Sequence, residues 1–123
     1  MYKPKKRRKR RIEPVNWSKE ISKGNILKFY NSTDWDIVRE KALMRDKFVC
    51  QFFVGKYTEN DYEPFKIKIE TATHVHHIKP ISERPDLALD LDNVVSLSHI
   101  GHEIIEGRYR GRVYKKRLTK EKW

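Results

Sequence analysis

The chain has 123 residues, 37% of them charged, and a formal net charge of +11. That length holds one domain with tails, and a body of about 80 residues buries only a modest core that a metal or partner often helps to stabilise. No apolar run reaches the roughly 20 residues that cross a bilayer, the first residues lack the apolar stretch of a secretory signal, and the single cysteine, Cys50, excludes an intramolecular disulfide and fits a reducing cytoplasm.

The charge is unevenly placed. Residues 1–11, MYKPKKRRKRR, carry eight basic and no acidic side chains; residues 108–123 carry eight basic and one acidic; residues 12–107 carry twelve basic and sixteen acidic. Blocks of like charge resist folding and act as interaction arms. A polyanion is the partner they fit, because each phosphate contact releases condensed counterions. The candidate nucleic-acid contacts are Lys5, Lys6, Arg7, Arg8, Lys9, Arg10 and Arg11 at one end and Arg108, Arg110 and Arg112 at the other. A solubilising tail and a nuclear localisation signal are the competing readings. The expected division is a flexible basic arm over residues 1–24, a folded domain over 25–108 and a basic tail over 109–123.

After Gly24, NSTDWDIVREKALMRDK reads as a helix. Ser32 or Thr33 caps it, Asp34 and Asp36 suit its first turn, and Arg45 and Lys47 suit its end. Trp35, Val38 and Ala42 make one apolar stripe, widened by Leu43 or Met44. FVCQFFVGKY is an apolar turn region. FKIKIE alternates strictly and predicts a half-buried strand. THVHHI predicts a short strand stopped by Pro80, SERPDLALDLDN a polar connection with one helical turn, and VVSL another strand. Ser98 caps a last helix, HIGHEIIEGR, which Gly107 ends.

All five histidines fall in two short clusters, His74, His76 and His77, then His99 and His102. His76 and His77 are adjacent and face opposite sides of a regular strand, so both serve one site only where the strand bends. A hairpin followed by a helix brings His76, His77 and His102 together. Two imidazoles make a borderline-metal pair, and a third, unliganded, takes a proton from water. That combination suits phosphodiester hydrolysis. His74 and His99 read as surface or hydrogen-bonded core residues.

VHHIKP followed by LDNVVSLSHIGHEIIEGR resembles the HNH endonuclease family, and most of all the short HNH proteins of bacteriophage genomes. FYNSTDWDIVREKALMRDKFVCQ is similar to the segment before the motif in that group, so the resemblance runs from about Lys28 to Arg108. It implies an α+β fold, a ββα-metal core preceded by a helix, occupying the domain at 25–108. It implies that His77 is the general base, that His76 and His102 bind a divalent ion (Mg, Mn, Ni or Zn), that Asn93 braces the loop orienting His77, and that Arg108 contacts substrate phosphate. From the residues alone, Asn93 is equally a turn residue in LDN, and Arg108 equally a solvated arginine at a helix end.

Many such proteins carry two Cys-x-x-Cys pairs that bind a structural zinc. The matching positions here are Cys50 and Phe53, then Ser98 and Gly101, so a Cys₄ zinc is excluded and Cys50 is the only remnant. An improvised site of Cys50, His99 and another donor is one alternative. The other is apolar packing of Phe52, Phe53 and Val54 against Ile100, Ile104 and Ile105.

The resemblance implies a metal-dependent DNA endonuclease that nicks or cuts duplex DNA, in the cytoplasm of a bacterial host. Its phage relatives are often associated with DNA packaging, which adds terminase or another phage protein as a partner. The alternatives are an inactive HNH-derived DNA-binding module or partner-dependent accessory protein, and an adaptor that offers FKIKIE as an edge strand.

Overall fold

The structure is a computed structural model that describes residues 14–110, together with the backbone of Tyr114–Lys115. Helix α1 (Trp17–Ser22) starts where the Asn16 side chain accepts from the amide of Lys19 at 3.1 Å. Trp17 and Ile21, four residues apart, bury one face of it. Gly24, at φ +94°, turns the chain into α2 (Ile26–Tyr30), whose buried Phe29 meets Trp17 edge-on at 5.5 Å. The arm expected over residues 1–24 is therefore corrected: from Trp17 onward it is helical and belongs to the folded body, because Trp17 and Ile21 have a core to enter. Residues 1–13, with Lys5, Lys6, Arg7, Arg8, Lys9, Arg10 and Arg11, lie outside the described residues, as does Arg112.

Helix α3 (Thr33–Arg45) is capped by Ser32, whose Oγ accepts from the Trp35 amide at 3.1 Å and donates to the Phe29 carbonyl at 2.6 Å. Its buried residues are Trp35, Ala42 and Leu43, with Val38 half-buried and Met44 exposed, so Leu43 widens the stripe. The end of α3 is bolted to the next layer. Arg45 donates to the carbonyls of Leu91 and Val94 at 2.7 and 2.8 Å, and Asp46 accepts from the Ser96 amide at 3.0 Å.

The central ribbon is antiparallel, β2 (His74–His77) against β3 (Val94–Leu97), with His76 opposite Val95 and His77 opposite Val94. Two 3₁₀ turns, Pro85–Leu87 and Leu91–Asn93, lie in the connecting loop. Helix α4 (His99–Ile105) follows, capped by Ser98 Oγ on the Gly101 amide at 3.0 Å. A short β1 (Tyr62–Glu63) pairs with β4 (Tyr114–Lys115), which takes two residues of the expected tail into a strand.

The ribbon separates two apolar clusters. Trp17, Phe29, Trp35, Ala42 and Val94 lie on the side of α1–α3. Cys50, Phe52, Phe53, Val95, Leu97, Ile104 and Ile105 lie on the side of α4. The four positions matched above to zinc cysteines, Cys50, Phe53, Ser98 and Gly101, join this second cluster or its edge. Cys50 and Phe53 are buried, Ser98 caps α4, and a Cβ on Gly101 would stand 2.8 Å from Cys50 Sγ. The improvised Cys50–His99 pairing does not form, because Cys50 is sealed beneath Gly101 and His99 is exposed. Val54 and Ile100 also stay out of the cluster.

FKIKIE is not a strand. It bends at Phe65 and Lys66 and then lies beside the 48–53 turn, held by Lys68 N to Phe53 O, Cys50 N to Glu70 O and one bridge between Val49 and Thr71. Ile67 and Ile69 are 62% and 82% exposed, so the alternation has no apolar layer to face.

Candidate functional site

His76 and His77 point to opposite faces of β2, yet both reach one cleft of about 450 Å³ at the ribbon's end, lined also by Tyr30, Ile81, His102 and Glu106. His77 enters from the α1–α3 side. Its ring stacks on Trp35, with centroids 4.8 Å apart and planes at 27°. Its Nε2 donates to the carbonyl of Ala88 at 2.9 Å. A nitrogen facing a carbonyl carries the proton, so Nδ1 keeps its lone pair. The Tyr30 hydroxyl, 3.4 Å from Nδ1, donates to it. Burial lowers the His77 pKa below the ordinary histidine value; the Ala88 carbonyl opposes this and nearby His76 adds to it. The ring is a neutral base at neutral pH.

The Ala88 carbonyl belongs to the loop between β2 and β3, and Asn93 shapes that loop. The buried Asn93 side chain accepts from the Lys79 amide at 2.9 Å and donates to the Lys79 carbonyl at 3.1 Å. Its backbone carbonyl accepts from Ile78 N at 2.8 Å.

On the other face, His76 Nδ1 and His102 Nε2 lie 3.7 and 3.6 Å from the same Glu106 oxygen. Ligand atoms of His76, His102 and Glu106 all fall within 4.8 Å of one another, the one such group of three among the described residues. His76 is 9% exposed, and its Nε2 donates to Glu59 Oε1 at 3.0 Å. The Tyr57 hydroxyl donates to the same Glu59 oxygen. Burial, reinforced by that carboxylate, raises the Tyr57 pKa and keeps the phenol a donor. A carboxylate on the outer nitrogen of a histidine is the usual support of a metal-ligating imidazole. The His102 pKa is lowered, mainly by burial and then by His76, with Glu106 opposing, so its lone pair is available. Two imidazoles and a carboxylate fit a borderline or first-row divalent ion.

Glu106 was not anticipated, although its four-residue spacing from His102 on one helix face was a readable signal. Glu59 carried no local signal. Arg108, expected on phosphate, folds back onto Glu103 at 2.8 Å and Glu106 at 3.5 Å. Arg110 is exposed.

Residues 63–103 match the model of the HNH endonuclease family. His76, His77, Asn93 and His102 lie inside the matched segment; Glu59 and Glu106 lie just outside it. No curated protein matches the sequence. Among solved structures, the chain is similar to the HNH endonuclease of the deep-sea thermophilic bacteriophage GVE2, a crystal structure with manganese ion. The identity is 25%, the TM-score 0.57, and the match covers 80% of this chain and 100% of that one. The mixed helical and antiparallel fold is thus that of an HNH endonuclease. Family match, fold and clustered site residues agree: the chain carries an HNH endonuclease domain over residues 63–103, and by that domain it is a nuclease.

Proposed function

We propose that the chain is a divalent-metal-dependent DNA endonuclease in which His77 is the base and His76, His102 and Glu106 hold the ion. One observation carries this reading: His77, its Nε2 tied to Ala88 and its Nδ1 free, among the described residues, of any partner but the Tyr30 hydroxyl at 3.4 Å, lines the same cleft as His76, His102 and Glu106, whose ligand atoms converge. Mg²⁺, Mn²⁺, Ni²⁺ or Zn²⁺ bound there would stabilise charge on the phosphate and the departing 3′ oxygen. His77 Nδ1 takes a proton as water oxygen bonds to phosphorus, the bond from phosphorus to the 3′ oxygen breaks, and the departing 3′ oxygen takes a proton from solvent water. The products are a 5′-phosphate and a 3′-hydroxyl. Asn93 and the Ala88 carbonyl hold the ring in the tautomer this needs. The basic segments at residues 1–11 and 109–123 would supply further phosphate contacts.

The similarity to a phage enzyme favours a phage-encoded protein; its proposed setting is the cytoplasm of a bacterial host, and its proposed partner is terminase or another phage protein. The test of the enzyme is conversion of supercoiled plasmid to open-circle or linear DNA. Cutting should need Mg²⁺ or Mn²⁺, stop with EDTA, and vanish in His77→Ala. DNA that is retarded on a gel but uncut with every metal would make the protein a DNA-binding relic.

A further inference from the structure

The interface of β2 and α4 carries one pattern twice. His102 and Glu106 are four residues apart on α4, and His76 faces them from β2. One turn earlier, His99 and Glu103 repeat that spacing. His74, two residues before His76 and so on the same face of the ribbon, meets the His99 ring. Ring centroids are 5.2 Å apart for His76 and His102, and 5.4 Å apart for His74 and His99. Two imidazoles on one tetrahedral ion, each nitrogen about 2.0–2.1 Å from it, have ring centres roughly 5 Å apart. Both pairs therefore sit at a ring separation that one shared ion allows, although among the described residues only His76, His102 and Glu106 have ligand atoms already converged. Thr73 Oγ1 lies 2.8 Å from His74 Nδ1 and engages that nitrogen, which leaves Nε2 for a ligand. Glu103 Oε2 is on Arg108 at 2.8 Å, a pair at the surface that a rotamer change releases.

We propose that His74 and His99 form a second metal site, for a borderline transition-metal ion such as Zn²⁺ or Ni²⁺, with Glu103 as a third donor when it leaves Arg108. Imidazole donors select such ions over Mg²⁺. The ion staples the first turn of α4 to β2. The His74 ring also stacks on His102, at 5.6 Å and 24°, so fixing His74 orders a side chain of the first site.

Calorimetric titration of the metal-free full chain with Zn²⁺ and with Ni²⁺ tests this, beside Mg²⁺ as a control. His99→Ala and His74→Gln should each bind one Zn²⁺ fewer per chain than the wild type. Their melting temperatures should rise less on adding Zn²⁺. His99→Ala should nick plasmid with Mn²⁺ as the wild type does. An unchanged Zn²⁺ stoichiometry in either variant overturns the proposal. So does loss of Mn²⁺-dependent nicking together with the ion in His99→Ala, because the ion lost would then be the one held by His76, His102 and Glu106.

Discussion

Glu59 holds His76 by its outer nitrogen: Nε2 donates to Oε1 at 3.0 Å, and Nδ1 is thereby turned toward His102 and Glu106. Glu59→Gln keeps an acceptor for that N–H but removes the negative charge behind the ligating ring. Affinity for Mn²⁺ should fall about 10–100-fold, read by electron paramagnetic resonance of free Mn²⁺, while the metal-free protein melts as before. Unchanged affinity would remove Glu59 from the site.

Glu106 supplies the carboxylate among the three converging groups. Glu106→Gln should raise the Mn²⁺ concentration needed for half-maximal nicking by tenfold or more, on the order expected when support of a metal ligand is lost. Saturating Mn²⁺ should recover much of the rate, because His77 is untouched. A lower rate at every Mn²⁺ concentration, with the same half-saturation, would point to a role other than holding the ion.

Asn93 is buried and bridges both backbone groups of Lys79. Asn93→Ala leaves those groups without partners, at a cost of about 1–3 kcal/mol. The loop that carries the Ala88 carbonyl loosens with it. Denaturant unfolding should show the stability loss, and nicking under saturating metal should slow. Full activity in a destabilised variant would separate the loop from the orientation of His77.

The His77 pKa is depressed, chiefly by burial. The base is neutral above that depressed pKa, so the rate should hold down to pH values below the ordinary histidine value of 6.5 and fall under it. Stability follows the same sign. The contribution is complete above the unfolded pKa near 6.5 and is lost as pH drops through the lower folded pKa. Tyr30 donates to the neutral ring and so favours it. Tyr30→Phe should move the acid limb of the pH–rate profile upward. A downward shift would mean that the phenol does not donate to Nδ1.

Gly101 lets α4 rest on Cys50. A methyl there meets Sγ at 2.8 Å inside a sealed cluster. Gly101→Ala should cost about 1–3 kcal/mol by overpacking. Adding Cys50→Ala should recover part of that loss, because the two atoms contend for one space. Additive losses in the double variant would place the strain elsewhere.

Much of the site was legible because its signals are local. Ser32 and Ser98 announce the starts of α3 and α4, the β-branched Val94 and Val95 mark β3, and the register of His76, His77, Asn93 and His102 brings chemistry to the end of one hairpin. Helix α1 escaped notice because Lys19, Glu20 and Lys23 continue the charged character of the preceding segment, while two side chains, Trp17 and Ile21, do its packing. FKIKIE misled for the opposite reason. Its alternation is genuine, but a strand needs a paired neighbour, and the 48–53 turn gives it two backbone hydrogen bonds and one isolated bridge rather than a ladder. Glu59 reaches His76 across seventeen residues through a loop that turns at Asn60 and Asp61, both at positive φ, where Asn60 Nδ2 donates to the Ile105 carbonyl at 3.1 Å. Nothing in the local sequence encodes that approach.

The most direct test of the account is single-turnover nicking of supercoiled plasmid by wild type and His77→Ala, both loaded with Mn²⁺ to the same measured occupancy. Loss of cleavage with Mn²⁺ and DNA still bound is the predicted result, and it would assign proton removal to His77. Cleavage by the variant at the wild-type rate would contradict it, and another group in the cleft would have to activate the water.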